Sequence, residues 1–482
     1  MERKSIKKNY VYNLCYQVLL LLTPLITTPY ISRVLGADGI GTVSYAESIV
    51  SYFTLFATMG IATYGQREIS YVQDSVKGRS VVFWNTVLLK FCTSFVVSVI
   101  YLMVCIFQPD PTIYLILVFN LLAVFFDVTW FFQGLEEFGK IVLRNILFKI
   151  INIIYVFVVI KDKEDIALYA LGLALFLFLS NVSLWRYIPK YIIKIDKKDI
   201  HPFKDFRIIL SLFLPTIAIQ IYTVLDKTMI GVITKNTFEN GYYEQALKLS
   251  KILLAVITSL GTVMVPRIGY FFQRKEMEEV KKLLYRSYHF VWFLGIPLCF
   301  GIIFVAENFV PWFFGEGFEK VITLLRILAF LILAIGISNV TGMQYLVPTK
   351  RQHLLTISVI IGAGVNFILN SILIRLYHSL GAALASVIAE ILIAMLQIFL
   401  VRKELSILRI LKEGMRYYIA GGFMAIELYL VGEILVPSII NTVIMIVCGA
   451  ITYFVLLFIM KDDFFVSNVK VVLKKVKLIR RG

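Results

Sequence analysis

Fourteen apolar stretches, each close to the ~20 residues that an α-helix needs to cross a bilayer, divide this chain, and its lysines and arginines gather in every second gap between them. The stretches fall at roughly 10–32, 41–64, 81–107, 112–134, 141–160, 165–185, 208–234, 245–266, 288–307, 321–346, 354–375, 380–401, 416–436 and 439–460. The alternate gaps are poor in cations and hold Arg33, Lys161, Lys163, Lys235, Lys320 and Arg375. Because short cytoplasmic loops carry the excess of Lys and Arg, the rich side is inside, both termini are cytoplasmic and the number of spans is even. At 482 residues, 59% apolar and with a mean hydropathy of +0.83, the chain has too little polar surface for a soluble fold. It is expected to be an all-α, polytopic membrane protein.

The net charge of +17 does not point to nucleic acid, because its cations sit in short loops beside spans, where they set orientation and meet anionic lipid. The five cysteines, Cys15, Cys92, Cys105, Cys299 and Cys448, all fall within spans and lack metal-ligand spacing. The histidines His201, His289, His353 and His378 are scattered over gaps on both faces. Without a Gly-rich phosphate loop or a sizeable outward domain, neither an ATPase nor an enzyme site is expected. No metal and no bound cofactor is anticipated. The tail after Lys461 alternates basic residues with Val469, Val471, Val472, Leu473 and Val476, as a basic amphipathic helix on the inner leaflet would.

The gap from Arg186 to Arg207 reads as a linker between halves. Shifting the sequence by 200 positions brings Gly41, Ala46 and Arg67 onto Gly241, Ala246 and Arg267. The polar residues Ser44, Ser48, Ser51 and Thr58, on one face of the second span, fall on Glu244, Lys248, Lys251 and Thr258 of the eighth. This predicts two pseudo-symmetric six-helix lobes, residues 1–195 and 196–401, with helices thirteen and fourteen and the tail in 402–482. Two halves that both begin on the cytoplasmic side are parallel repeats related by an axis along the membrane normal.

An ionised side chain at mid-bilayer costs on the order of 2.5–3.5 kcal/mol on insertion scales, so each one present should face protein or water. On the seventh span Thr216, Gln220, Thr223 and Lys227 form one polar line, and Tyr222 and Asp226 a second. On the eighth, Glu244 and Lys248 are spaced to pair, which leaves Lys251 over; the resulting cationic surplus suits an anionic head group. In the first half Glu47, Asp127, Lys90 and Lys149 lie within spans, with Asn13, Gln17 and Asn120 as polar neighbours. Asp127 either holds a lysine of this half or carries an exchangeable proton. Glu390, Glu427 and Arg326 read as packing or pairing groups. Pro24 and Pro29 remove ladder bonds from the first span and offer a place for it to bend.

The run from Leu22 to Gly36 (LTPLITTPYISRVLG), then Gly39-Ile40-Gly41 and Met59 to Ile69 (MGIATYGQREI), resembles the start of bacterial polysaccharide repeat-unit flippases. These are the Wzx-type O-antigen and capsule transporters of the multidrug/oligosaccharidyl-lipid/polysaccharide exporter superfamily. Trp130 to Gly134 (WFFQG), Asp226 to Gly231 (DKTMIG), Gly241 to Ala246 (GYYEQA), Val265-Pro266-Arg267 and Leu380 to Ala385 (LGAALA) extend the likeness over the transport unit.

The resemblance implies a two-lobed bundle around a cationic cavity, alternately open to the two sides of the bacterial cytoplasmic membrane. It implies an oligosaccharide on undecaprenyl pyrophosphate as cargo, and a polysaccharide polymerase complex as a partner in the bilayer. Lys227, Lys248 and Lys251 are then the candidates for the pyrophosphate, with Gln220 and Thr223 beside them. Arg33 and Arg267 lie nearer the span ends, as contacts on the path or as interfacial anchors. If protons or sodium ions are exchanged, Asp226, Asp127 and Glu47 are the acids placed to do it. Two alternatives remain at this point. A cation-coupled small-molecule exporter of the same superfamily should prefer surplus acid, and a membrane polymerase or glycosyltransferase should show a large loop with paired acids or arginines.

Overall fold

The computed structural model describes residues 6–108 and 110–467, the side chains of 6–16, 214–216, 218, 219, 221 and 222 aside. It is all-helical in its regular elements. The first is α1 (Ile6–Thr58), followed by α2 (Ile61–Tyr71), α3 (Val76–Ile106), α4 (Pro111–Ile116), α5 (Val118–Phe126), α6 (Thr129–Gly134), α7 (Phe138–Val159) and α8 (Ile166–Ser183). Then come α9 (Phe206–Thr234), α10 (Thr237–Gln273), α11 (Met277–Phe314), α12 (Glu319–Leu328) and α13 (Phe330–Ser338), which runs on into a π-helical turn over Asn339–Leu346. The last are α14 (Gln352–Tyr377), α15 (Ser379–Leu400), α16 (Ile407–Ile434) and α17 (Ile439–Ile459).

Among the described residues, eleven helical segments are long and apolar enough to cross a membrane, the first of them, Gln17–Tyr71, holding two spans. With α9 and α16 added, all fourteen expected spans are helical. Large apolar side chains point outward along them, such as Phe95 at 60% exposure and Leu143 at 58%. In water that surface would drive aggregation, whereas in hydrocarbon it is simply solvated. Of the expected amphipathic tail after Lys461, residues 468–482 lie outside the described residues.

The first two spans form one bent element. The break comes at Gly36, with φ 66° and ψ −179°, a conformation open in practice only to glycine, while Pro24 and Pro29 sit inside helical backbone. The sharp bend thus falls seven residues after Pro29, at the boundary of the two spans. The fourth span is also broken, because Asp127 leaves helical geometry at the end of α5 and its Oδ1 accepts the backbone N–H of Thr129, starting α6.

The chain divides into two compact units, Met1–Gly241 and Tyr242–Gly482. α9 belongs to the first of these units. The reason is local. Thr228 Oγ1 donates to Ser48 Oγ at 3.0 Å and lies 3.0 Å from the Tyr52 hydroxyl, and Tyr64 OH donates to Asp205 Oδ2 at 2.6 Å. Gly231 presses on the Tyr45 ring so closely that an added Cβ would sit 2.2 Å from it.

A second close approach reflects the 200-residue repeat. A Cβ at Gly41 would stand 1.7 Å from the carbonyl oxygen of Thr237, and one at Gly241 would stand 1.9 Å from that of Ala37. The shift that superimposes 37 on 237 and 41 on 241 therefore exchanges the two contacts, and only glycine fits at either crossing.

In the first unit Val43, Ala46 and Val50 of α1 pack with Tyr101 of α3, Leu121 of α5 and Ala170 of α8; a second cluster gathers Trp130, Phe131 and Phe132 of α6 around Phe83 of α3. In the second unit Tyr288 and Trp292 of α11 pack among Tyr345, Tyr417 of α16 and Tyr453 of α17.

Candidate functional site

Within the first unit, α1, α5, α7, α8 and α9 border an open cavity of about 520 Å³. The second arm of α1 supplies Glu47, Ser48, Ser51 and Thr54, and α5 supplies Asn120. From α7 come Asn145, Lys149 and Asn152, from α8 Ser180, and from α9 Lys227. Every one of these lies inside an expected span, so the cavity is a polar volume at membrane depth. Its ionised groups are Glu47, Lys149 and Lys227, one acid against two bases.

Surrounding bonds fix the orientation of this lining. Arg144 stands behind it: Nη2 and Nε donate to Asn145 Oδ1 at 2.6 and 3.0 Å, and Nη1 donates to Asn181 Oδ1 at 3.0 Å. Asn145 is thereby held by its carbonyl, which leaves its amide hydrogens as the donors of that side chain. Asn152 Nδ2 donates to the carbonyl of Gly172 at 3.1 Å. The buried Asn240 donates through Nδ2 to the carbonyl of Lys227 at 2.8 Å and fixes the backbone from which that lysine projects. Ser48 and Ser51 donate their hydroxyl hydrogens to the carbonyls of Tyr45 and Glu47, so both oxygens act as acceptors, that of Ser48 already accepting from Thr228.

Of the residues singled out from the sequence, the structure brings Glu47, Ser48, Ser51, Asn120, Lys149 and Lys227 to this one cavity. Asp127 is held elsewhere. The fully buried Lys90 donates to the Asp127 carbonyl at 2.7 Å, and its Nζ lies 3.7 Å from Asp127 Oδ2. Asp226 does not line the cavity; it lies near enough to Tyr52 to act on it electrostatically. Gln220 and Thr223 are exposed, with Thr223 Oγ1 donating to the Gln220 carbonyl at 2.9 Å. The side chains of Thr216 and Tyr222 are outside the described set.

Arg33 is exposed and donates to the Pro29 carbonyl at 3.0 Å. Lys248, Lys251 and Arg267 lie in the second unit along α10. Lys248 is 3.4 Å from Glu244, the pairing that their spacing predicts, and Lys251 and Arg267 are exposed. None of the three lines the cavity of the first unit. The sequence reading did not single out Asn145, Asn152, Arg144 or Ser180. The signal was present in the 4 and 3 spacing of Asn145, Lys149 and Asn152, which aligns them on one face of α7. Among the described residues no group of three or more His, Cys, Asp or Glu could hold a metal ion.

The profile of a family described as "Polysaccharide biosynthesis protein" matches residues 6–272. A protein of Escherichia coli (strain K12), provisionally named an O-antigen transporter, is 22% identical over 84% of this chain and 98% of its own length. Among solved structures, the lipid II flippase MurJ in an inward closed conformation superposes with a TM-score of 0.70 at 19% identity, covering 94% of this chain and 99% of that one. An inward-facing multidrug resistance MATE family transporter of the MOP superfamily gives 0.62 at 14% identity, over 82% and 95%. At these identities the structural likenesses establish the fold alone, and that fold is the MurJ and MATE one.

Proposed function

The chain belongs to the polysaccharide biosynthesis protein family, and on that premise we propose that it flips a lipid-linked oligosaccharide across the bacterial cytoplasmic membrane. The cargo of this reading is a repeat unit on undecaprenyl pyrophosphate, bound on the inner leaflet and released on the outer one by alternating access, for O-antigen, capsule or related polysaccharide synthesis. The gaps rich in Lys and Arg put both termini in the cytoplasm. The curated relative named for O-antigen transport and the flippase fold support the reading.

The observation that carries it is the polar cavity with surplus positive charge at membrane depth. Three ionised groups there cost roughly 8–10 kcal/mol on insertion scales, an expense that a chain retains for something it must bind. A pyrophosphate needs fixed cations, and Lys149 and Lys227 supply them. Sugar hydroxyls need amide and hydroxyl partners, which Asn120, Asn145, Asn152, Ser48 and Ser51 offer. Lys248 and Lys251, with Gln220, Thr223, Arg33 and Arg267, are further contacts along the route, Lys248 after exchanging its bond with Glu244. Outward movement of an anion is favoured by an inside-negative potential, about 2.3 kcal/mol per charge per 100 mV. Ion coupling is then an addition, with Glu47 the acid in the cavity and Asp226 and Asp127 outside it. A polysaccharide polymerase in the same membrane would take the product.

The test is reconstitution of the full chain in liposomes with a fluorescent polyprenyl-pyrophosphate disaccharide, following the fraction of head groups that an impermeant quencher reaches. Lys149→Ala and Lys227→Ala should each slow transfer at least about tenfold, the equivalent of losing one charge-assisted hydrogen bond. Wild-type rates in both variants would remove the cavity from the mechanism. No lipid transfer, alongside export of small organic cations, would replace the flippase reading with a small-molecule exporter.

A further inference from the structure

At the end of the second unit that the Lys and Arg pattern places in the cytoplasm, the start of α11, the segment 402–406, the start of α16 and the residues after α17 surround an open basin of about 1680 Å³. Many of its charges are satisfied within the protein. Lys281 pairs with Glu278 at 2.9 Å, Arg409 with Glu413 at 2.7 Å and Glu404 with Arg351 at 2.6 Å. Asp462 accepts from the Tyr417 hydroxyl at 3.2 Å and from the backbone of Phe465 at 2.8 Å. The cations outnumber these acids. Arg286, Lys412 and Arg416 are all exposed in the basin, and among the described residues no acid pairs with any of them.

The second observation lies on α16. Leu408, Leu411, Met415, Ile419, Phe423 and Ile426 are exposed and recur every three or four residues, which makes one apolar stripe along the helix. Tyr417, Ala420, Met424 and Leu428 are buried on the opposite side. Lys412 and Arg416 project beside the upper turns of the stripe, so cationic head and apolar path are continuous on one helix. The Ser406 Oγ caps α16 by accepting Arg409 N–H at 3.3 Å, and the positive end of that helix adds to the field in the basin.

We propose that this basin binds the phosphate head of an anionic phospholipid of the cytoplasmic leaflet, whose acyl chains lie along the exposed stripe of α16. The geometry selects among occupants. The chain's own terminus after Ser467 carries Lys470, Lys474, Lys475, Lys477, Arg480 and Arg481 and no acid, so it has the wrong sign to fill the basin. An acidic protein segment would satisfy the cations and leave the stripe unexplained. A lipid anion satisfies both.

The experiment uses the full chain in detergent, with bound phosphatidylglycerol and phosphatidylcholine counted by intact-mass measurement as each is titrated in. The wild type should prefer phosphatidylglycerol, and R286Q/K412Q/R416Q should lose affinity for it on the order of a hundredfold, at about fivefold per cation near an anionic surface. K281Q/K282Q removes two cations that already have acid partners and should change affinity less than about threefold, while R286K/R416K should bind as the wild type does and shows that the fold persists. Equal retention of the two lipids by the wild type would overturn the proposal, as would an equal loss in K281Q/K282Q and the triple variant. Displacement of phosphatidylglycerol by equimolar polyprenyl phosphate would also overturn it, assigning the basin to the transported carrier.

Discussion

In the first unit polar side chains within the spans line a cavity, and three of them, Glu47, Lys149 and Lys227, are ionisable; in the second unit, away from Glu244, Lys248 and Lys251 on α10, amides and hydroxyls within the spans bond to one another. Asn370 donates to Asn366 Oδ1 at 3.1 Å, Asn366 to Ser386 Oγ at 3.4 Å, and Gln397 to Ser358 Oγ at 3.0 Å, with both asparagines and Gln397 almost wholly buried. Tyr288 and Thr341 share a 2.7 Å bond in the same way. Neutral groups that bond among themselves carry little penalty in hydrocarbon and fix helix registry. Charges carry a large one, so under the proposed reading the charges around the cavity serve binding and the neutral network holds the helices together.

The sharpest way to break that contrast is at Lys90. Lys90→Met leaves the Asp127 carboxylate without its cation and should destabilise the protein by about 3–5 kcal/mol, the cost of breaking a buried pair. Thermal unfolding in detergent reads it, and adding Asp127→Asn should restore most of the loss. A Lys90→Met variant no less stable than wild type would show that Asp127 is neutral in the folded protein.

The next effect is on transport. Asn152→Ala, which removes a cavity amide without touching charge, should slow lipid transfer by about tenfold, in line with roughly 1–1.5 kcal/mol for one hydrogen bond, and Gln397→Leu in the second unit should leave the rate per folded molecule unchanged. If both slow transfer equally, the distinction between binding and holding regions fails.

Asn366→Leu tests the other side. It removes one hydrogen bond each from Asn370 and Ser386 and should cost about 1–3 kcal/mol of stability, with the transfer rate of the folded fraction preserved.

The smallest effect is at the Glu404–Arg351 pair. Burial raises the Glu404 pKa, but hydrogen bonds from Arg351 and Tyr345 and the nearby positive charge outweigh it, so the carboxyl titrates below its ordinary 4.5. A carboxyl depressed in the folded state contributes stability above its unfolded pKa and loses it as pH falls through the folded value. Arg351→Gln should therefore cost under about 1 kcal/mol at pH 7, since the pair is partly exposed, and the difference from wild type should shrink below pH 4.5. A difference independent of pH would remove Glu404 from the account.

How much of this was legible in the chain depends on the range of the interaction. Glu244 and Lys248 were readable as a pair because four residues along a helix is a fixed distance. Asp127 was readable as an acid needing a lysine, yet Lys90 and Lys149 were equal candidates by sequence; only the packing of α3 against the broken fourth span gives Lys90 to Asp127, while Lys149 lines the cavity. Asn145 and Asn152 could have been found from their spacing with Lys149, but that polar line was one of several and nothing local ranked it. The bend at Gly36 was masked by Pro24 and Pro29, because a proline announces a possible break while a glycine reveals one only through its backbone angles.

The sequence by itself determined an all-helical membrane fold of apolar spans and a 200-residue repeat, since span length and hydropathy are set by the bilayer one segment at a time, and its cation placement predicts an orientation. The tertiary structure decided that α9 packs with the first unit, that Lys227, Lys149 and Glu47 line one cavity, and that Lys90 claims Asp127. Those outcomes depend on which faces of distant helices touch, and a hydrophobic stripe surrounded by lipid does not say which neighbour it will choose.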